Sequence, residues 1–495
     1  MNFATDVVDA APPGRLALVA IGRDGERREW TFGEIGDGAA RFAGALASRG
    51  VRRGDVVMTL IGNRVEWVLA LVGCMRCGAV ALPCTEQLRA HDLALRVHVA
   101  RPALIVADER DTAELARALA GLGGEAPAVL TVPDATLLEH DPAPPAGTGD
   151  GDPALILFTS GTQGEPKAVV HGGRYVSGQA IQAGSWFAPR EGELAWCTAS
   201  SGWSKSTRNV FMAPWLRGAA ALIHDGRFDP AERLAILERE RVAALCMAPT
   251  EYRMIAARAS IPPLPALRTM VAAGEALNPG VMREWHAATG VWIRDGYGQT
   301  ETGALTGVPE HAAPRPGSMG PALPGVELSV ADGELVLDPR SDPTFFLGYL
   351  DEDVCRNADG SWAVRDRRDG GPWRTGDLVE READGWLHFV GRTDDVIVSA
   401  GYRIGPFEVE SALVSHPAVA EAAAVAAPDA ERGQIVRAVV VLAPGAPPAS
   451  AALTRELQEH VRAQTAPYKY PRVVDFVSEL PKTASGKIRR AALRS

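Results

Sequence analysis

No run of apolar residues in this chain is long enough to cross a bilayer, so an integral membrane protein built on helices is not expected. Cysteine is scarce. Six among 495 residues cannot supply the disulfide framework that a chain of this size would need to depend on one. A basic leader is also missing, because the first ten residues carry Asp6 and Asp9 and neither Lys nor Arg, which argues against a secretory signal. No internal repeat is found. Positive charge is in deficit, with 51 Lys and Arg against 61 Asp and Glu, and the net charge of −10 disfavours non-specific nucleic-acid binding. The expectation left by these absences is a cytoplasmic protein with no membrane span and no nucleic-acid partner.

What remains is an ordinary globular composition, 46% hydrophobic and 23% charged, in a chain too long for a single core. Two or more domains are expected. Cys74, Cys77, Cys84 and His91 have spacings that resemble a metal site. However, Cys74 ends the apolar helix-like run 67–73 and Cys84 ends the strand-like run 79–83, so they read as buried small hydrophobes, and no metal ligand is assigned there.

The segments 15–21 and 26–32 flank Arg23-Asp-Gly25 and read as a hairpin. Thr31 and Glu34 form a capping-box pattern before a helix whose apolar positions are Ile35, Ala39, Phe42, Ala43 and Leu46, with Gly50 as its stop. Short apolar strands at 56–61, 79–83, 103–107 and 129–132 then alternate with helical patterns, as in a parallel sheet covered by helices. A Pro- and Gly-rich stretch at 141–152 precedes a second series, with strands at 219–224, 243–247 and 269–273 and a helix near 230–240. Residues 303–390 lose helical periodicity and read as a small β-rich subdomain. A boundary near 392–395 separates a mixed C-terminal part. The fold class expected is α/β: a large N-terminal domain, 1–392, of helix-covered parallel sheets with the β-rich subdomain, and a small mobile α+β domain, 393–495.

Five segments carry chemistry. The first runs from Phe158 through Thr159, Ser160, Gly161, Thr162, Gln163, Gly164, Glu165 and Pro166 to Lys167. Its glycines can turn backbone N–H groups inward around a polyphosphate, its hydroxyls add donors, and Lys167 adds a compact positive charge. The spacing is not that of the common P-loop, which places Gly, Lys and Ser/Thr together. The second, Gly296-Tyr-Gly-Gln-Thr-Glu301, follows a strand-like 291–294 and so puts Thr300 and Glu301 at a strand end, where open α/β sheets hold ligands. Arg374-Thr-Gly-Asp377 offers a carboxylate to a vicinal diol. The fourth spans 391–410, and Pro481-Lys-Thr-Ala-Ser-Gly-Lys-Ile-Arg489 closes the chain. Each alone reads equally as a turn, a surface acid or a basic tail; their order along one chain makes coincidence improbable.

Together these segments resemble the adenylate-forming superfamily of acyl-CoA synthetases, luciferases and peptide-synthetase adenylation domains, over essentially the whole chain. The phrases Ser201-Gly-Trp203, Ala213-Pro-Trp215, Gly298-Gln-Thr-Glu-Thr-Gly303 and Ala466-Pro-Tyr-Lys-Tyr-Pro-Arg472 are most similar to medium-chain acyl-CoA synthetases. The resemblance implies a soluble ligase of fatty acid metabolism that uses ATP, Mg²⁺ and coenzyme A, as a monomer or homodimer. A carboxylate attacks the α-phosphate of ATP to give an acyl adenylate and pyrophosphate, and a thiol then displaces AMP.

Carried over by motif, 159–167 would hold the β- and γ-phosphates and Glu301 the magnesium ion. Thr300 would sit beside the α-phosphate and the substrate carboxylate. Gly274, Glu275 and Ala276 with Asp295, Gly296, Tyr297, Gly298 and Gln299 would line the nucleotide. Asp377, helped by Arg392, would bind the ribose, and Lys487 would bridge carboxylate and α-phosphate. Asp394 matches the hinge about which the C-terminal domain swings. In the second pose Ala400, Gly401 and Tyr402 would border the pantetheine tunnel, and Arg403 would face the adenylate. Coenzyme A contacts match Gln87, Arg432, Arg462, Tyr470, Pro471 and Arg472.

For the acid, the resemblance implies a pocket of Trp203, Ser206, Thr207, Met247, Gly274, Gly298 and Thr300. After Gly202-Trp203 this chain departs from the mostly apolar medium-chain pattern and reads Ser204-Lys-Ser-Thr-Arg208. Inward-pointing Lys205 or Arg208 would favour a polar or acidic acid. Because a buried unpaired charge is costly, the expectation is that both face solvent or coenzyme A and that the acid is aliphatic or aromatic. A carrier-protein thiol or an amine is the alternative acyl acceptor. A non-catalytic nucleotide sensor is disfavoured by the presence of Lys487, Glu301 and the phosphate loop.

Overall fold

The computed structural model describes residues 1–495 apart from 123–125, 160–164, 276, 401, 484–486 and 495, and apart from the side chain of Arg403. The hairpin Leu16–Ile21 and Arg27–Thr31 forms as the sequence suggests. Thr31 then caps the helix Phe32–Ser48, its side chain accepting from the Glu34 N–H while the Glu34 carboxylate accepts from the Thr31 N–H.

The large domain is built on two helix-covered sheets. One has seven strands and the other eight. In the seven-stranded sheet Val56–Leu60, Val80–Cys84, Leu104–Asp108 and Ala128–Val132 pair in parallel. Pro153–Phe158 joins them in parallel and Ala168–Gly172 returns antiparallel. In the other sheet Leu194–Cys197, Ala220–His224, Ala244–Met247, Thr269–Ala273 and Ile293–Gln299 are parallel.

The two-residue strand period divides these side chains among three cores. Val57, Leu104 and Leu155 from one sheet and Ala195, Ala221 and Val271 from the other share a central core with Phe42, Trp67 and Phe211. Their neighbours in sequence face outward. Met58, Leu82 and Ile105 fall in one outer core, and Trp196, Leu245, Met247 and Met270 in the other. Helices on both faces of both sheets explain why these strands read as continuous apolar runs.

A four-stranded antiparallel sheet, Leu328–Ala331, Glu334–Leu337, Trp373–Arg381 and Leu387–Arg392, accounts for much of the β-rich stretch. The ends of that stretch go elsewhere: Gly303–Gly307 pairs with Ile293–Gln299, and Gly348–Tyr349 pairs with Ala168–Gly172.

The smaller C-terminal domain has a five-stranded sheet backed by the helices Pro406–Val414 and Ala451–Gln464 through Val409, Leu413, Leu457 and Val461. Asp394 lies between the strands Leu387–Arg392 and Ile397–Ser399. The chain end returns to this joint, where Arg494 Nη2 donates to the Asp394 carbonyl at 2.9 Å and Arg490 makes two bonds to the Glu410 carboxylate, at 3.0 and 2.8 Å. Among the described residues no helix is long and apolar enough to cross a membrane. Cys74 and Cys84 are buried in the cores, and burial pushes both thiols up.

Candidate active site

One strand organises the site. Ile293–Gln299 extends further than its sequence suggests, into the second motif as far as Gln299. Tyr297 and Gln299 therefore stand on one face, two residues apart, and both reach Asp377 in the strand Trp373–Arg381. The Tyr297 hydroxyl and Gln299 Nε2, the latter at 2.9 Å, donate to Asp377 Oδ2. Arg392, opposite Asp377 in the antiparallel register, donates to Oδ1 at 3.3 Å. Burial holds the Asp377 carboxyl above the usual range, opposed by Arg392 and by the two donors. Asp377→Asn is expected to raise the KM for ATP about tenfold while leaving the KM for the acid within about twofold, because one charge-assisted bond is worth about 1.5–3 kcal/mol. Steady-state pyrophosphate release checks this, and an unchanged KM for ATP would remove Asp377 from the nucleotide site.

Asp295 is the third residue of the same strand, and burial pushes its carboxyl up to about 8. Its Oδ1 accepts from the Gly296 N–H at 2.9 Å. At the strand end the Thr300 carbonyl is bonded by His171 Nε2 at 2.9 Å, and burial lowers that imidazole to about 3. The ring is therefore neutral and donates. Glu301 Oε1 accepts from the Tyr349 hydroxyl at 2.9 Å, and burial raises the Glu301 carboxyl. Lys167 lies over the Tyr349 ring, 4.5 Å from its centre. Thr159 and Lys167 close the base of the phosphate loop by two bonds, the Thr159 N–H to the Lys167 carbonyl at 3.0 Å and the Lys167 N–H to Thr159 Oγ1 at 2.9 Å. Glu165 and Pro166 follow within the described chain. Ser160, Gly161, Thr162, Gln163 and Gly164 lie outside the described residues, as do Ala276 and Gly401.

Above this strand end opens a cleft of about 930 Å³. It brings together Gln87, Trp203, Gly274, Glu275, Gly298, Gln299 and Thr300 of the large domain with Lys487 of the C-terminal tail. Glu275 Oε2 accepts from Thr250 Oγ1 at 2.6 Å, and Gln87 Nε2 donates to Ser200 Oγ at 3.2 Å. Lys487 is positioned by a backbone turn, in which the Thr483 N–H donates to the Lys487 carbonyl at 2.8 Å and the Lys487 N–H to Thr483 Oγ1 at 3.2 Å. Burial lowers the ammonium, and Glu275 and Asp377 oppose that shift.

Ala400, Tyr402, Arg432, Arg462, Tyr470, Pro471 and Arg472 are not among the residues lining the cleft. Ala400 and Tyr402 are exposed, with Tyr402 stacked on Tyr468 at 4.3 Å. The Ala400 N–H donates to the Arg432 carbonyl at 3.0 Å. Arg462 and Arg472 both lie over the Tyr470 ring, at 3.8 and 5.0 Å, and Pro471 accepts from Gln458 at 3.0 Å.

Three expected pocket residues do not line the cleft. Ser206 and Thr207 are fully buried, and both hydroxyls donate to the Trp203 carbonyl, at 2.7 and 3.3 Å. Met247 packs in an outer core. The wall carries Lys205 and Arg208 instead, which corrects the expectation that they face outward. The cause is register. Val210, Phe211, Met212 and Trp215 are all buried and lock the segment Arg208–Met212 inward, so Arg208 enters the interior with them. Lys205 Nζ donates to the Ala273 carbonyl at 3.2 Å.

Residues 5–343 match the family described as AMP-binding enzyme, and residues 408–487 match the AMP-binding enzyme C-terminal domain. The chain belongs to the AMP-binding enzyme family. As an AMP-binding enzyme it is 37% identical to mouse mitochondrial acyl-coenzyme A synthetase ACSM5, across all of this chain and 90% of that protein. It is 36% identical to the uncharacterized acyl–CoA ligase YtcI of Bacillus subtilis, across 97% and 93% of the two chains. Among solved structures it resembles an anthranilate CoA ligase, AuaEII, with a TM-score of 0.88 at 28% identity over 99% and 96% of the chains. A benzoate CoA ligase from Burkholderia xenovorans LB400 superposes with a TM-score of 0.85 at 27% identity, covering both chains completely.

Three residues of this AMP-binding enzyme escape a reading by motif. His171, Tyr349 and Trp373, whose Nε1 donates to Gln299 Oε1 at 3.1 Å, hold the motif residues from behind. His171 had a signal, as the end of the strand leaving the phosphate loop. Tyr349 and Trp373 had none, because their partners are distant in sequence. Among the described residues no group of three or more His, Cys, Asp and Glu forms a protein metal cage. A carboxylate completed by phosphate oxygens and water is nevertheless a common arrangement for magnesium, and the half-buried Glu301 offers one.

Proposed function

We propose that this AMP-binding enzyme is an ATP-dependent acid–thiol ligase that converts a carboxylic acid to its acyl adenylate and then to the coenzyme A thioester. One observation carries the reading: Lys487, from the far end of the chain, enters the same cleft as Thr300 and Glu275. In the first step a carboxylate oxygen attacks the α-phosphorus of ATP. The bond to the bridging oxygen breaks and pyrophosphate leaves. Two anions must meet, so a cation placed between them is the group the chemistry needs, and Lys487 is assigned that role. Tyr297, Gln299 and Arg392 orient Asp377 toward the ribose, while Thr300, fixed by His171, orients the α-phosphate and the acid. Glu301 would hold Mg²⁺, which supplies charge neutralisation on the phosphates when bound.

In the second step the thiolate of coenzyme A attacks the acyl carbon, the thiol proton goes to solvent, and AMP leaves. The paired arginines on Tyr470, with Arg432 and Gln87, are assigned to its phosphates and pantetheine. Ala400, Gly401, Tyr402 and Arg403 reach the adenylate after the C-terminal domain turns about Asp394. The cytoplasm as location and a monomeric or homodimeric state belong to the same proposal; cell fractionation and sedimentation test them. The function is tested by AMP release over a panel of carboxylic acids with magnesium, with and without coenzyme A. Acid-dependent release that coenzyme A accelerates is the expected result. Release that instead needs an amine or a carrier-protein thiol would replace the acceptor, and no release with any acid would end the reading.

A further inference from the structure

The cleft contains a cation that this chemistry does not use. Arg208 is only 6% exposed yet belongs to the cleft wall, and its Nε and Nη1 find no hydrogen-bond partner among the described residues. A guanidinium does not lose its charge in a protein, and a buried charge without a counter-ion is strongly unfavourable. Two other arginines of the cleft wall already have acidic partners. Arg233 faces Glu251 at 3.7 Å, and Arg110 pairs with Asp108 and with Asp225. Asp342, a carboxyl that feels the Arg208 charge, accepts two bonds from Thr344 at its Oδ1, at 2.8 and 2.7 Å, while its Oδ2 has no hydrogen-bond partner among the described residues. Burial pushes it up to about 7, so near neutrality it carries only part of a negative charge. Lys205 adds a second cation on the same wall, bonded to a carbonyl and not to a carboxylate.

We propose that the acid activated here carries a second carboxylate, which Arg208 receives at the cleft wall with Lys205 beside it. This rests on the acid–thiol ligase reading and adds a substrate class to it, the dicarboxylic acids, in place of the plain aliphatic or aromatic acids expected from the sequence.

Matched pairs of straight-chain acids, each monocarboxylic acid beside the dicarboxylic acid of equal carbon number, are compared by pyrophosphate release. At the best-fitting length the wild-type enzyme is expected to favour the diacid by at least about 10²-fold in kcat/KM, since a site built around a polar group rejects the analogue lacking it. Arg208→Met should reduce that preference below about tenfold at unchanged KM for ATP. The ligand-free variant should melt no lower than the wild type, because the charge removed has no full partner. A clear fall in Tm would make Arg208 a structural counter-ion of Asp342 and overturn the proposal. Equal loss on both acids would assign it to the adenylate phosphate, with the same consequence. A wild-type preference for the monocarboxylic acid at every length also overturns it and leaves the ligase reading standing. Failure of every acid removes both.

Discussion

Lys487→Ala is expected to slow acyl-adenylate formation by roughly 10²–10³, the cost of losing one preorganised group that stabilises charge in a transition state. Acyl transfer from supplied adenylate to coenzyme A should be nearly unaffected, because the role proposed for Lys487 lies only where carboxylate and α-phosphate approach each other. Pyrophosphate exchange and thioester formation from synthetic acyl-AMP separate the two steps; a normal exchange rate in the variant would refute the role. The same lysine sets a pH dependence. Burial lowers its pKa from the ordinary 10.5, so its positive charge is lost earlier as pH rises. Exchange measured with subsaturating ATP should therefore decline on the alkaline side below the pH at which an unperturbed lysine titrates. Lys487→Arg should push that decline upward, since arginine stays charged. An alkaline limb identical in both enzymes would assign it to another group.

Gly298→Ala is expected to damage both folding and catalysis. An added Cβ would overlap the Gly303 carbonyl oxygen and come within 2.9 Å of Ala304 Cα, and these are backbone atoms of the partner strand, which cannot rotate away. The pairing of Gly298 with Ala304 must open. Overpacking of this kind costs about 1–3 kcal/mol of stability. Displacing Gln299 and Thr300 by about 1 Å should cost about 10²-fold in kcat/KM for both ATP and acid. Thermal melting and pyrophosphate release measure the two effects. A variant with wild-type Tm and rate would show that the strand tolerates the side chain. Gly202 is constrained in the same way, at φ +87° with the Thr85 backbone where a Cβ would stand, and it fixes the approach of Trp203 to the cleft.

Much of the architecture was legible because its signals are local. The capping box at Thr31 and Glu34, the doubly buried strands and the hairpin at 23–25 each depend on residues close in sequence. The motif residues were legible for a different reason: glycines and hydroxyls spaced for a nucleotide are unusual enough to be recognised together. The supporting residues were not. Nothing near Tyr349 or Trp373 indicates that one will bond Glu301 and the other Gln299, because the first contact forms only when Gly348–Tyr349 joins the seven-stranded sheet beside Ala168–Gly172, and the second only when the four-stranded sheet closes on the strand Ile293–Gln299. Ser206 and Thr207 were placed in the pocket by motif, but their hydroxyls turn back on the Trp203 carbonyl.

By itself the sequence determined the α/β fold class and a set of groups suited to joining an acid to a nucleotide, since periodicity and motif chemistry are written in neighbouring residues. The tertiary structure brought Lys487 into one cleft with Thr300, as the motif resemblance implies, and turned Arg208 inward against expectation. The first needs two domains to meet. The second is set by the burial of Val210, Phe211, Met212 and Trp215, whose gain in apolar contact outweighs the cost of carrying one charge inside.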